Sequence, residues 1–152
     1  MPRRITRQYA DETIQRLTAL PPDATPQWGT STLPQIIGHL TDTVRYTMGA
    51  GPDLPFKGNW KTRTLFRPLI INQIVAIPRN IRIPRPDGKK GTFTFRDGDI
   101  ASLKATLDEY LARVDAGDLP SRMHPFFGVL APASWRKFHI AHFTHHLRQF
   151  GA

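Results

Sequence analysis

Apolar residues recur at helical spacing in four stretches of this chain, and each stretch is closed by proline or glycine. That pattern limits the fold more than any single residue does. A face of period 3.6 belongs to an amphipathic helix, which must bury that face against another element. Residues 4–20 carry Ile5, Tyr9, Ile14, Leu17 and Leu20 before Pro21-Pro22 ends the run, since proline cannot continue a helix. Residues 33–48 follow Ser31-Thr32 as a cap, with Pro34 in the first turn, where its missing N–H does no harm. Leu33, Ile36, Ile37, Leu40 and Val44 form their stripe, and Gly49, Gly51 and Pro52 stop them. A third helix is expected over 99–115, opening at Asp97 or Asp99 and stopping at Gly117, with Ile100, Leu103, Leu107, Tyr110, Leu111 and Val114 inward. A fourth opens at Pro132, covers 132–149 and stops at Gly151. A shorter apolar piece spans about 62–77.

Between 78 and 98 the periodicity is lost. Prolines at 78, 84 and 86 punctuate an extended segment, Asp87-Gly88 signals a turn, and Gly91-Thr92-Phe93-Thr94-Phe95 alternates like a short strand or an extended loop lying on the core. A loop of this length in a compact domain is uncommon and often functional. The expected architecture is a single all-α domain over 1–152, a bundle of four main helices with one long crossover between the second and third.

The chain has no cysteine, which excludes disulfides, thiolate metal sites and a cysteine nucleophile. Its longest apolar stretch, Leu69 to Ile77, is interrupted by Asn72 and Gln73 and is about half the ~20 residues that a membrane span needs. The basic N-terminus is not followed by an apolar run, so no secretory signal is expected, and the default is a cytoplasmic protein without a membrane partner. The formal charge of +9 is unevenly placed. Residues 57–96 hold ten basic side chains and one acidic one, Asp87. Such a field attracts phosphates, carboxylate-bearing molecules, nucleic acid or acidic lipid, or else it is a solvated surface that aids solubility.

Four of the six histidines fall within eight residues of the last helix. His142 and His146 lie about 40° apart on one face at helical pitch. His139, Trp135, Phe143 and Phe150 share that inward face; His145 is turned roughly 100° from His146, and Arg148 points to solvent. An H-x3-H pair can bring two imidazoles to one metal. His39, on the flank of the second helix's stripe, is placed to supply a third from the seam between helices. Three histidines with an open fourth position make a catalytic rather than a structural zinc site. The alternative is a set of core histidines hydrogen-bonded to backbone or threonine. His139 is a candidate for supporting a ligand, and Asp42, one turn after His39, for accepting an imidazole N–H or for standing in solvent. His124, before Pro125, is a loop residue or lines a pocket.

The run His142-Phe143-Thr144-His145-His146-Leu147-Arg148-Gln149-Phe150 resembles the H-x3-H-x2-Q ending of the DinB/YfiT-like metalloenzyme superfamily. With His124-Pro125-Phe126-Phe127-Gly128, Trp135 and His139 it is similar to one branch of that superfamily, and Ser31 to Leu40 look like its second-helix motif. The resemblance implies a four-helix bundle of up-down-down-up topology, often dimeric, with a divalent metal, zinc or nickel. His39, His142 and His146 would be its ligands. Better-understood relatives use an external low-molecular-weight thiol as nucleophile in S-transfer or isomerisation. Gln149 would orient a metal-bound ligand or a neighbouring histidine.

Two functional classes follow. One is a metal-dependent enzyme, an S-transferase-like protein or a hydrolase, acting on a small anionic substrate received by Arg82, Arg85 and Lys89. The other is a non-catalytic module that binds an anionic partner or nucleic acid through segment 57–96. The basic segment has few of the interleaved aromatics on which single-stranded nucleic acid stacks, so nucleic acid is the less expected partner.

Overall fold

Helix boundaries fall where the side chains can satisfy a helix end. In the computed structural model, which describes residues 3–83, 85, 87, 89 and 93–152, α1 spans Arg7–Thr18 and is capped by Thr6, whose hydroxyl accepts from the Tyr9 N–H at 3.2 Å. The next helix, α2 (Leu33–Thr47), opens with a reciprocal capping box. The Gln35 N–H donates to the Thr32 hydroxyl, and the Thr32 N–H donates back to the Gln35 side chain. A π-helical turn, Thr62–Phe66, runs into the short α3 (Arg67–Ile71). The helix α4 (Ile100–Ala116) starts at Asp99, which caps the Ser102 N–H, and ends at Gly117, whose φ of 68° only glycine adopts without strain. The last helix, α5 (Pro132–Gln149), begins with proline at its first position. The four long helices therefore match the sequence expectation to within a few residues.

The described residues are mostly helical, close to the all-α expectation, with one small sheet beside the helices. Strands β1 (Arg122–His124) and β2 (Gly128–Leu130) pair antiparallel, Arg122 opposite Leu130 and His124 opposite Gly128. Three residues per strand are too few for alternation to show in a sequence. Of the two expectations for 91–95, residues 93–95 form no strand but an irregular segment whose Phe95 packs against the core, and residues 91–92 lie outside the described residues. The shorter apolar piece at 62–77 contains the π turn and α3.

Two apolar clusters hold these elements. The larger joins the inward positions of every long helix: Leu17 of α1, Ile36, Leu40 and Val44 of α2, Leu103, Leu107 and Tyr110 of α4, and Ile140, Phe143 and Leu147 of α5. Burying each such side chain contributes about 1.5–3 kcal/mol. The smaller cluster packs Ile70 and Ile71 of α3 with Phe127, Leu130, Trp135 and Phe138, and so seats α3 and the hairpin on α5. The helices α1 and α2 each contact both α4 and α5. The face shared by α2 and α5 is where the histidines meet. No helix among the described residues is long and apolar enough to cross a membrane.

Candidate metal centre

The helix α2 presents His39 and α5 presents His142 and His146, one turn apart, to a common point. His39 Nε2 lies 2.9 Å from His142 Nε2, and His142 Nε2 lies 3.2 Å from His146 Nε2. One nitrogen from each ring falls within 4.8 Å of the other two. Nitrogens bound to a tetrahedral zinc at about 2.0–2.1 Å are roughly 3.3 Å apart, close to the two contacts seen here.

Burial keeps the three rings neutral, which is the form that binds metal. Desolvation holds His39 and His142 well below the ordinary imidazole pKa, with the neighbouring histidines adding to the effect, and lowers His146 to about 4. Gln149 then sets a tautomer. Its Nε2 donates to the Trp28 carbonyl at 2.9 Å, which turns its Oε1 toward His146 Nδ1 at 2.8 Å. Oε1 only accepts, so the His146 proton sits on Nδ1 and its Nε2 lone pair faces the cluster. His142 Nε2, facing two nitrogens, has at most one proton to give and cannot donate fully to both. Its Nδ1 is buried with no hydrogen-bond partner among the described residues. A cation at the point of convergence would receive all three lone pairs, so the donor set fits a divalent metal that accepts imidazole, such as zinc or nickel.

Aromatic rings fix the ligand planes. Phe95 stacks on His39 with centroids 4.0 Å apart, and Phe138 stacks on His142 at 5.4 Å. His145 meets His146 edge-on at 4.9 Å and Trp28 at 5.5 Å. Trp28 carries the Arg79 guanidinium 4.2 Å over its ring. Burial lowers the His145 pKa, against the bond it donates to the Ile77 carbonyl, and the Arg79 charge lowers it further. One edge of the centre is therefore built from Trp28, His145 and Arg79.

Residues 1–152 match a family described as a protein of unknown function, DUF1569. The chain belongs to the DUF1569 family. No curated protein and no solved structure matches it.

Other expected site residues of this DUF1569 chain stand elsewhere. His139 is fully buried one turn before the ligands, but it faces Thr47, at 3.1 Å from its Nε2. The Thr47 hydroxyl proton goes to the Val44 carbonyl, so His139 donates from Nε2, and desolvation lowers its pKa to about 3. That bond joins α5 to α2 and leaves the metal position untouched. His124 does not line the centre. Its Nδ1 accepts the N–H groups of Phe126 and Phe127, closing the hairpin turn, and its ring stacks on Phe127 at 4.3 Å. Burial lowers its pKa to about 3, with the Arg67 charge acting the same way.

Asp42 does not accept from an imidazole. Both of its oxygens accept from Arg96 Nε, at 3.1 and 2.9 Å, and the pair is half-exposed. Arg96 follows Phe95, the ring over His39, but the backbone of that segment is seated on α2 by the Gly98 N–H bond to the Pro34 carbonyl. Arg82 is exposed; Arg85 forms an ion pair with Asp87, and Lys89 donates its backbone N–H to the same carboxylate. Their neighbours at 84, 86, 88 and 90 lie outside the described residues. A basic side chain that the fold does seat beside His145 is Arg79. Neither it nor Trp28 carries a periodic signal in sequence, whereas Phe138 could have been found as the residue four before His142 on one helix face.

Proposed function

We propose that this DUF1569 chain is a metal-dependent enzyme in which His39, His142 and His146 hold a divalent cation, zinc or nickel. One observation carries the reading: three neutral imidazoles aim Nε2 at one point, and Gln149 dictates the tautomer of one of them. The frame is a DinB-like four-helix bundle over 1–152. Its support is the mutual packing of α1 and α2 with α4 and α5, together with the motif likeness at His39 and at His142 to Gln149.

Held by three imidazoles with an open position, such a metal supplies a Lewis acid that polarises a carbonyl and lowers the pKa of bound water or thiol. The chain's own residues do the rest. Gln149 keeps the proton on His146 Nδ1. Phe95 and Phe138 hold the ligand rings in plane and keep water from their faces. Arg79, carried on Trp28, binds the anionic end of a small substrate and orients the rest toward the histidines. The reaction is transfer to an external low-molecular-weight thiol or hydrolysis, and the protein supplies no cysteine of its own for the first.

Elemental mass spectrometry on untagged protein tests the centre. About one metal per chain is expected, lost in a His142→Ala/His146→Ala variant that keeps its helical circular dichroism. No metal after zinc, nickel or manganese is added back would overturn the reading and leave the histidines as core packing. Loaded protein assayed with and without a thiol then separates transfer from hydrolysis.

A further inference from the structure

The cleft between the π turn, α3 and the start of α5 is lined by Arg63, Arg67, Ile71, Asn72, Ser134 and Lys137, with Pro68 at its edge, and has a volume of about 360 Å³. Among the described residues, three cations and no acid face it. None of the three forms an ion pair among the described residues. Arg67 and Lys137 are nevertheless held in place by hydrogen bonds, whereas Arg63 is exposed. Arg67 Nη1 donates to the Phe127 carbonyl at 3.3 Å, Lys137 Nζ donates to Asn72 Oδ1 at 3.1 Å, and the Arg63 side chain lies along Gly128. Gly128 has φ +77°, a conformation that favours glycine, and a Cβ there would stand at ordinary contact distance, 3.5 Å, from the Arg63 Nε.

We propose that this cleft binds a small phosphate-bearing molecule, a phosphomonoester or a pyrophosphate, through Arg63, Arg67 and Lys137. Charge decides the class. Three like charges brought together repel, and a single carboxylate would leave two of them uncompensated, whereas a phosphomonoester or pyrophosphate matches most or all of the three. Guanidinium forks suit phosphate oxygens, and the ammonium adds a point charge. Arg67 and Lys137 each spend one N–H on the protein and keep others for a ligand. The Ser134 hydroxyl has no side-chain hydrogen bond to another described residue, so it is free to serve a phosphate oxygen. The volume sits at the small end of the ~300–1,000 Å³ typical of ligand pockets, which admits a compact anion better than an extended one. This site uses none of the histidines and does not depend on a metal.

The test is calorimetric titration of the full chain with inorganic pyrophosphate at about 0.15 M salt. A chelator is present, so that no bound metal contributes. One pyrophosphate per chain is expected, with affinity falling about tenfold or more in Lys137→Met and in Arg63→Gln. Arg16→Gln, exposed on α1, should bind as the parent does. Arg63→Gln leaves the backbone hydrogen bonds of the π turn in place, so it remains informative if Lys137→Met folds poorly. Absence of saturable binding, or equal affinity in all variants, overturns the proposal. So does binding to phosphoinositide vesicles without binding to soluble pyrophosphate, which would assign the cleft to a lipid surface.

Discussion

His146 Nδ1 and Gln149 Oε1 lie 2.8 Å apart one turn from each other on α5, and the Gln149 amide is oriented by the Trp28 carbonyl. A loop outside the helices thus fixes the proton position of a histidine inside them. Gln149→Leu should fold but bind metal about 10–100-fold more weakly, as expected when the partner of a ligand's second nitrogen is lost. Gln149→Glu keeps an acceptor for Nδ1–H but sets a carboxylate against the Trp28 carbonyl. It should hold the metal within about tenfold of the parent while loosening the loop. Competition against a chromophoric chelator measures both, and unchanged affinity in the leucine variant would remove Gln149 from the site.

Stability should fall as the solution is acidified. His124 and His139 are buried with pKa values of about 3, against an unfolded value near 6.5. Below pH ~6.5 the unfolded chain therefore binds protons that the folded chain refuses, so acid favours unfolding. Their contribution is fully present above the unfolded value and is lost as pH falls from there toward about 3, at about 1.4 kcal/mol per pH unit for each residue. Denaturant midpoints on chelated protein should show this slope. In His124→Asn, whose amide oxygen can still accept from the hairpin turn, the slope should be shallower by about one proton.

Asp42 gives the opposite kind of prediction. Because it pairs with Arg96 at a half-exposed surface, Asp42→Ala should cost less than about 1 kcal/mol. Metal affinity should stay within about twofold of the parent. A tenfold loss of metal would show that Asp42 supports a ligand after all.

The long helices were legible because their stripes and caps are local, and His142, His146 and Gln149 because one helix carries all three. Asp42 could not be paired with Arg96 in advance, because that partner is 54 residues away, on the far end of the crossover. The ring on His39 comes from the same place. His124 belongs to a hairpin whose strands are shorter than any period. Trp28 and Arg79 meet only because two irregular segments cross beside His145. Contacts of that kind follow from the fold and leave no spacing behind.

Gly38 explains how the crossover reaches His39. A Cβ at position 38 would collide with the Arg96 carbonyl oxygen and stand 3.0 Å from the Gly98 amide nitrogen. The Gly98 N–H donates to the Pro34 carbonyl at 2.9 Å, so the returning chain lies directly on α2. In an exposed helix, glycine to alanine would gain up to about 1 kcal/mol from propensity. Here the backbone must move instead, and overpacking of this kind costs about 1–3 kcal/mol. Gly38→Ala should therefore be destabilised despite its better propensity. The displaced segment carries Phe95, so the stack on His39 should open and metal affinity should fall with it. Thermal melts and chelator competition on the same protein separate the two effects. A variant that is destabilised yet binds metal as the parent does would show that Phe95 does not hold the His39 ring.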